Sequence, residues 1–351
     1  MEEKERAVKE YIKELMNITY PNNRLFFDNL FPLKEFFIEL EKPLLDFFHE
    51  NCAINIDWTK ISRLDYVEKE RIINDFFKYL NINFKMDEVI NNGVFNPNTY
   101  SVEEGIEKAE IFFKGECGEN NNKLFIDVFN SGLITDTVIW AHELAHYRNA
   151  QGDYISSSRR LLTESLSFTY EYIFLDFLES IGYIDDAKVM RFAETNNLYF
   201  HNYYIYYILQ LLLLYDNVGE INKENYFQFF GIDHNYEECI NAFYKHIIEK
   251  NRTVFSFFEY ALSFGISIYL YEEYKKDPSF IEKIEELNAK INELSLEECL
   301  SIIGITKYAE TGFLDEQNVN KILNAINSFK NKLEGEISMV KASPKTSINK
   351  Q

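Results

Sequence analysis

Apolar residues recur at i, i+3, i+4 and i+7 along most of the chain, the spacing of helices that bury one face. Glycine and proline, the usual interruptions, number only 13 and 6 in 351 residues, so the pattern predicts a mainly helical protein. The segments NNGVFNPNTYS and GECGENNN, within residues 91–122, carry turn residues and read as loops; SVEEGIEKAEIFFK between them reads as a helix capped by Ser101. KLFIDVFN then alternates apolar and polar positions for a strand's length, the one segment whose pattern predicts β-structure. After it, SGLITDTVIWAHELAHYRNAQG predicts a helix opened at Thr135 or Asp136, running to about Asn149, with Gly152 beyond its end. A second helix follows, opened by Ser156, Ser157 and Ser158, carrying LLTESLSFTYEYIFLDFLES and closed by Gly182. The most apolar run, from Tyr203 to Tyr215, is shorter than the roughly 20 residues of a membrane span and reads as a buried helix. Residues 336–351 lose the periodicity and read as a disordered tail, and no repeat of fixed period is present.

Charge narrows the partners. The count is 36 Lys+Arg against 57 Asp+Glu, a formal net charge of −21 that repels nucleic-acid phosphates and anionic lipid headgroups. With 46% hydrophobic and 16% aromatic residues, the acidity accompanies a packed core rather than disorder. Cys52, Cys117, Cys239 and Cys299 lie far apart without a C-x-x-C pair, which argues for reduced thiols. The first residues, MEEKERAVKEYIKEL, have no apolar signal-peptide core, so the expectation is a soluble cytoplasmic protein.

Only six histidines occur, and two stand in His142-Glu143-Leu144-Ala145-His146. A helix turns about 100° per residue, so His142 and His146 project from one face and can offer two imidazoles to one tetrahedral ion. Glu143 falls at the edge of that face, beside the metal without binding it, where a general base toward water belongs. Chance produces an H-E-x-x-H in a chain of this composition roughly once in a hundred. Uncharged Ile139, Trp140, Ala141, Leu144 and Ala145 imply that the helix is buried, and buried imidazoles need a partner. The H-E-x-x-H-x-x-G-x-x-H continuation is absent, since Asn149 and Gly152 occupy its last Gly and His positions.

The third ligand is therefore sought downstream. Glu164, eighteen residues after His146 and flanked by Leu162 and Leu166, is costly to bury unless a cation neutralises it. A boundary position paired with Arg159 or Arg160 is its alternative. Ser167 and Glu171 fall on the face of Glu164, and Glu171 is placed to hold the free ring N–H of a ligand imidazole or to face solvent. Tyr199 to Tyr207 contain five tyrosines and His201 within nine residues, donors able to hold the oxyanion of a tetrahedral intermediate or, alternatively, an aromatic packing surface.

These three motifs, in this order, resemble the oligopeptidase F branch of the thimet-oligopeptidase family, zinc metallopeptidases of the gluzincin type. LFIDVFNSGLITDTVIWAHELAHY resembles its strand, loop and metal helix, TESLSFTYE its Glu-x-x-Ser-x-x-x-Glu frame, and HNYYIYYILQ its His-Tyr-Tyr segment. The region from Ser267 to Glu334 is similar in spacing to its C-terminal end. The resemblance covers roughly residues 98–335. Departures are the shorter interval between His146 and Glu164, Ala145 in place of the usual Gly, Leu211 where a further tyrosine is common, and an N-terminal part of only about 100 residues. The short N-terminal part leaves the cleft either open or completed by an oligomer or second chain.

The resemblance implies a mainly α gluzincin-type catalytic domain over residues 98–335, with a small β element beside the H-E-x-x-H helix and a helical N-terminal part over residues 1–97. It implies one Zn2+ held by His142, His146 and Glu164, Glu143 as general base, Glu171 and Ser167 behind the ligands, and short unstructured peptides as substrates. His201 with Tyr203, Tyr204 and Tyr207 would hold the oxyanion. A cleft sharing the net acidity would favour neutral or basic peptides. Two other readings use the same residues: a catalytically degenerate relative that binds peptides or a protein partner, and a zincin dedicated to one protein substrate.

Overall fold

The computed structural model describes residues 58–99, 115–120, 123–149, 157–195, 221–230, 253–306 and 316–342, with isolated positions between 236 and 245. These residues are mainly helical with one small three-stranded sheet. Helix α1 (Tyr66–Tyr79) opens where the Asp65 carboxylate accepts the Glu68 N–H, and it buries Ile72, Ile73, Phe76 and Phe77, the one-sided spacing of an amphipathic helix. The short α2 (Met86–Asn91) leads into the sheet.

The sheet corrects the loop reading of NNGVFNPNTYS and GECGENNN, which supply its outer strands. KLFIDVFN is its central strand, β3 (Lys123–Asn130), as its alternation predicts. Beside it lie β1 (Phe95–Thr99), parallel, and β2 (Gly115–Asn120), antiparallel, both drawn from segments whose composition predicts turns. Pro97 is tolerated in β1 because β1 is an outer strand, where a missing N–H leaves no ladder bond unmade. The helix expected between these strands, residues 101–114, lies outside the described residues.

Helix α3 (Asp136–Asn149) follows β3 and starts and ends where its sequence predicts. Neither candidate cap acts as one through its side chain. Thr135 Oγ1 has no hydrogen-bond partner among the described residues. The Asp136 carboxylate instead turns back to accept the Ser131 N–H (2.7 Å), the Ser131 hydroxyl (2.8 Å) and the Gly132 N–H (3.1 Å). It also meets Lys69 Nζ of α1 at 2.5 Å, with both side chains fully buried. This ion pair pins the loop between β3 and α3 to α1. Trp140, fully buried, donates its indole N–H to the Phe129 carbonyl (3.1 Å) and packs against Tyr66 and Phe95, so α3 is keyed to α1 and to both neighbouring strands.

Helix α4 (Ser157–Ser180) packs on α3 and on α7 (Thr253–Lys276). It ends in a turn at Gly182, whose φ of +104° favours glycine. Residues 184–195 form α5, and α6 (Lys223–Phe230), α8 (Ile281–Lys290) and α9 (Leu296–Ile302) are shorter. Helix α10 (Glu316–Ala342) lies along α7 and runs past residue 336, where the sequence predicts a disordered tail. The reason is tertiary. Fully buried Arg191 of α5 donates to Glu336 Oε1 (2.6 Å) and Asp176 Oδ1 (2.8 Å) and pairs with Glu179 (2.7 Å), so the helix end carries a charge the core requires. No helix among the described residues is long and apolar enough to cross a membrane.

Candidate metal centre

The site forms where α3 crosses α4. Helix α3 is buried nearly all round, including Ile139, Trp140, Ala141, Leu144 and Ala145, so its polar residues must be satisfied by neighbours rather than by water. On α4, Glu164 is 4% exposed between Leu162 and Leu166, both buried. The side chains of Arg159 and Arg160 lie outside the described residues.

Three donor atoms converge. His142 Nε2 and His146 Nε2 are 3.0 Å apart, and Glu164 Oε2 lies 3.5 Å from the first and 3.3 Å from the second. A tetrahedral zinc ion with ligands at roughly 2.0–2.1 Å separates its donors by about 3.3–3.4 Å. The triangle therefore has the size and donor chemistry of three corners of a tetrahedral shell with one position left over, and among the described residues it is the group able to hold a metal. A cation would satisfy lone pairs on all three atoms at once, which a single shared proton cannot do.

Behind the triangle, Glu171 Oε1 meets His142 Nδ1. Glu171 lies seven positions after Glu164, so one helix supplies both the candidate ligand and the acid that meets the His142 ring. Phe168 packs its ring edge against His142 at 5.1 Å and limits tilting. Ser167 is fully buried, but its hydroxyl has no hydrogen bond among the described residues, to a ligand or otherwise. His146 Nδ1 is likewise buried without a described partner.

Charge follows from this crowding. Burial opposes the ionised Glu164, yet His146 and His142 more than reverse it and hold the carboxyl well below the usual range. Burial also opposes a charged His142, and Glu171, Glu164 and Glu143 overcome it, leaving the imidazole well above its ordinary value. Glu143, 6% exposed, is pushed upward by burial; the two imidazoles pull it down, and Glu164 and Glu171 add to the rise.

Two neighbours escape the motif reading. Gly115 of β2 passes so close to Glu143 that an added Cβ would lie 2.4 Å from both Cγ and Oε1. No positive φ accompanies this glycine, so space, not backbone conformation, requires it. A glycine beside an alternating strand was the available signal, masked by turn-like neighbours. The other is Glu194 of α5, 6% exposed, whose carboxyl is held well above its ordinary range by burial first and then by the Glu171 charge, with His142 pulling the other way. Its segment gives no hint, because a lone acid near a helix end is usually solvated.

His201, Tyr203, Tyr204, Tyr207 and Leu211 lie outside the described residues, as does the apolar run to Tyr215. Compared with protein-family models, curated proteins and solved structures, the chain has no match.

Proposed function

We propose that the chain is a zinc-dependent metalloendopeptidase of the gluzincin type, acting on short unstructured peptides in the manner of the oligopeptidase F branch. The observation that carries this reading is the convergence of His142 Nε2, His146 Nε2 and Glu164 Oε2 within 3.0–3.5 Å, with the buried Glu143 carboxyl one residue along α3. His142, His146 and Glu164 would hold the ion. Bound there, zinc supplies Lewis acidity that lowers the pKa of water and polarises a peptide carbonyl.

Glu143 takes a proton from the attacking water and returns it to the leaving amine. Burial raises its proton affinity above that of an ordinary carboxylate, the direction that favours proton uptake by a general base. Glu171 keeps the His142 ring aimed at the ion through Nδ1. The outer strand β2 runs against Glu143 at Gly115, which suits a peptide lying extended along that strand. His201 and tyrosines among Tyr203, Tyr204 and Tyr207 complete the proposal as oxyanion donors, on the resemblance alone.

Metal analysis of the purified full chain, with a quenched-peptide assay on wild type and Glu143→Gln, tests the reading. One zinc per chain, and hydrolysis lost in Glu143→Gln with zinc retained, is the expected result. A zinc-loaded wild type that cleaves nothing across a peptide library would replace the enzyme with a peptide-binding protein. Cleavage confined to a single protein would instead assign a dedicated zincin.

A further inference from the structure

Two helices supply the three converging donors, and their crossing sets two of the three distances. The 3.0 Å between His142 Nε2 and His146 Nε2 is internal to α3. Glu164 Oε2 lies 3.5 and 3.3 Å from these atoms only while α4 keeps its place against α3. Helical period fixes the first distance, whereas tertiary contacts have to fix the other two.

Outside the metal centre, Glu285 of α8 grips both helices at once. Its Oε1 accepts from Arg148 Nη1 of α3 (3.1 Å) and from the Tyr170 hydroxyl of α4, and its Oε2 accepts from Arg148 Nη2. Arg148 Nη1 also donates to the Tyr170 oxygen (3.0 Å), so each of the three side chains touches the other two. A bidentate guanidinium–carboxylate pair fixes orientation as well as distance. The Arg148 and Glu285 side chains are 13% and 29% exposed and Tyr170 is buried, so water competes less here than at a surface ion pair. The guanidinium also lies over the Phe77 ring of α1, 5.5 Å from its centroid. Helix α8 is seated by Ile284 and Leu287, both fully buried, and just beyond its end Asn292 donates to the Asn149 carbonyl of α3 (2.7 Å).

Arg148 stands two positions past His146, about 3 Å along the axis of α3. Tyr170 immediately precedes Glu171, which meets His142. We infer that Glu285 is a positioning residue of the metal centre: by stapling Arg148 to Tyr170 it holds α3 and α4 at the crossing that brings Glu164 to the two imidazoles. The inference rests on the metal site of the metallopeptidase reading. Glu285 acts only through the placement of the helices, so its effect on metal binding has to depend on Glu164. Once every remaining ligand lies on α3, the crossing no longer matters.

Zinc affinity of the full chain is measured for wild type, Glu285→Leu, Glu164→Ala and the double variant, by competition with a chelator or, for weaker sites, by direct titration. Alone, Glu285→Leu should weaken zinc binding roughly tenfold. In the Glu164→Ala background it should weaken binding by less than about twofold, because His142 and His146 remain on one helix. No loss in the first background overturns the inference, and so does an equal loss in both, which is what a merely destabilised fold would give. If wild type itself binds no zinc, the metallopeptidase reading falls, and amide hydrogen exchange in the metal-free chains decides whether Glu285 ties α3 to α4. Exchange in the last turn of α3 and around Tyr170 should then quicken about tenfold in Glu285→Leu, and unchanged exchange there overturns the staple. Circular dichroism checks folding, and Glu285→Gln, which keeps the shape but loses one acceptor oxygen, replaces the leucine variant should that one fail to fold.

Discussion

The approach of Gly115 to Glu143 makes a prediction that needs no metal and no substrate. A methyl at Gly115 would lie 2.4 Å from Glu143 Cγ, 2.4 Å from Oε1 and 2.8 Å from Cδ. Non-bonded carbon atoms settle at about 3.5–4.0 Å, so roughly 1 Å of overlap has to be relieved. Cγ sits next to the helix backbone, and moving it requires an off-rotamer Glu143 or a displaced β2. Overpacking of this kind costs about 1–3 kcal/mol. Glu143→Ala removes all three clashing atoms, so Gly115→Ala in that background should cost less than about 0.5 kcal/mol, or stabilise by restricting the unfolded chain. Glu143→Gln keeps the three atoms, and in it the glycine substitution should remain as costly as in wild type. Urea midpoints and melting temperatures of the metal-free proteins give the cycle. Additivity within about 0.3–0.5 kcal/mol would refute the steric argument. For the proposed reaction, displacing Glu143 by about 1 Å should lower kcat on the order of a hundredfold with zinc content unchanged.

Lys69→Met leaves Asp136 buried without its cation and should destabilise by about 3–5 kcal/mol; adding Asp136→Asn should cost less than the sum of the two single changes, as denaturant curves will read. A chain shortened to residue 335 loses the Glu336 partner of Arg191 and should melt below one ending at residue 342; equal melting temperatures would remove Glu336 from the account of why α10 is long. Cys117 is pushed up to about 12, chiefly by burial and further by Glu143 and Glu116. Its thiolate fraction at pH 8 is then about 10⁻⁴, so site-resolved mass spectrometry should find it alkylated far more slowly than a free thiol, and labelling at the free-thiol rate would contradict that burial.

Much of the site was legible because its logic is local. His142 and His146 share a face by helical period alone, and the acid at Glu164 announced itself by standing among leucines. Glu171 followed from the same period, and the structure puts it on His142 as that spacing implies. The outer strands were not legible. GECGEN has the composition of a turn, and FNPNT contains a proline; both become strands because β3 supplies the ladder they pair with. The end of α10 was hidden for a related reason, since Glu336 has no reason to be ordered until Arg191 is known to lie beside it.

The sequence by itself determined the helical character, the span of α3 and the identity of the three converging donors, because hydrophobic period and i, i+4 spacing act within one element. Only the tertiary structure decided that Gly115 borders the Glu143 carboxyl and that Glu194 is buried within reach of the Glu171 charge. Those contacts join residues dozens of positions apart or on separate helices, and no local period encodes the crossing that brings them together.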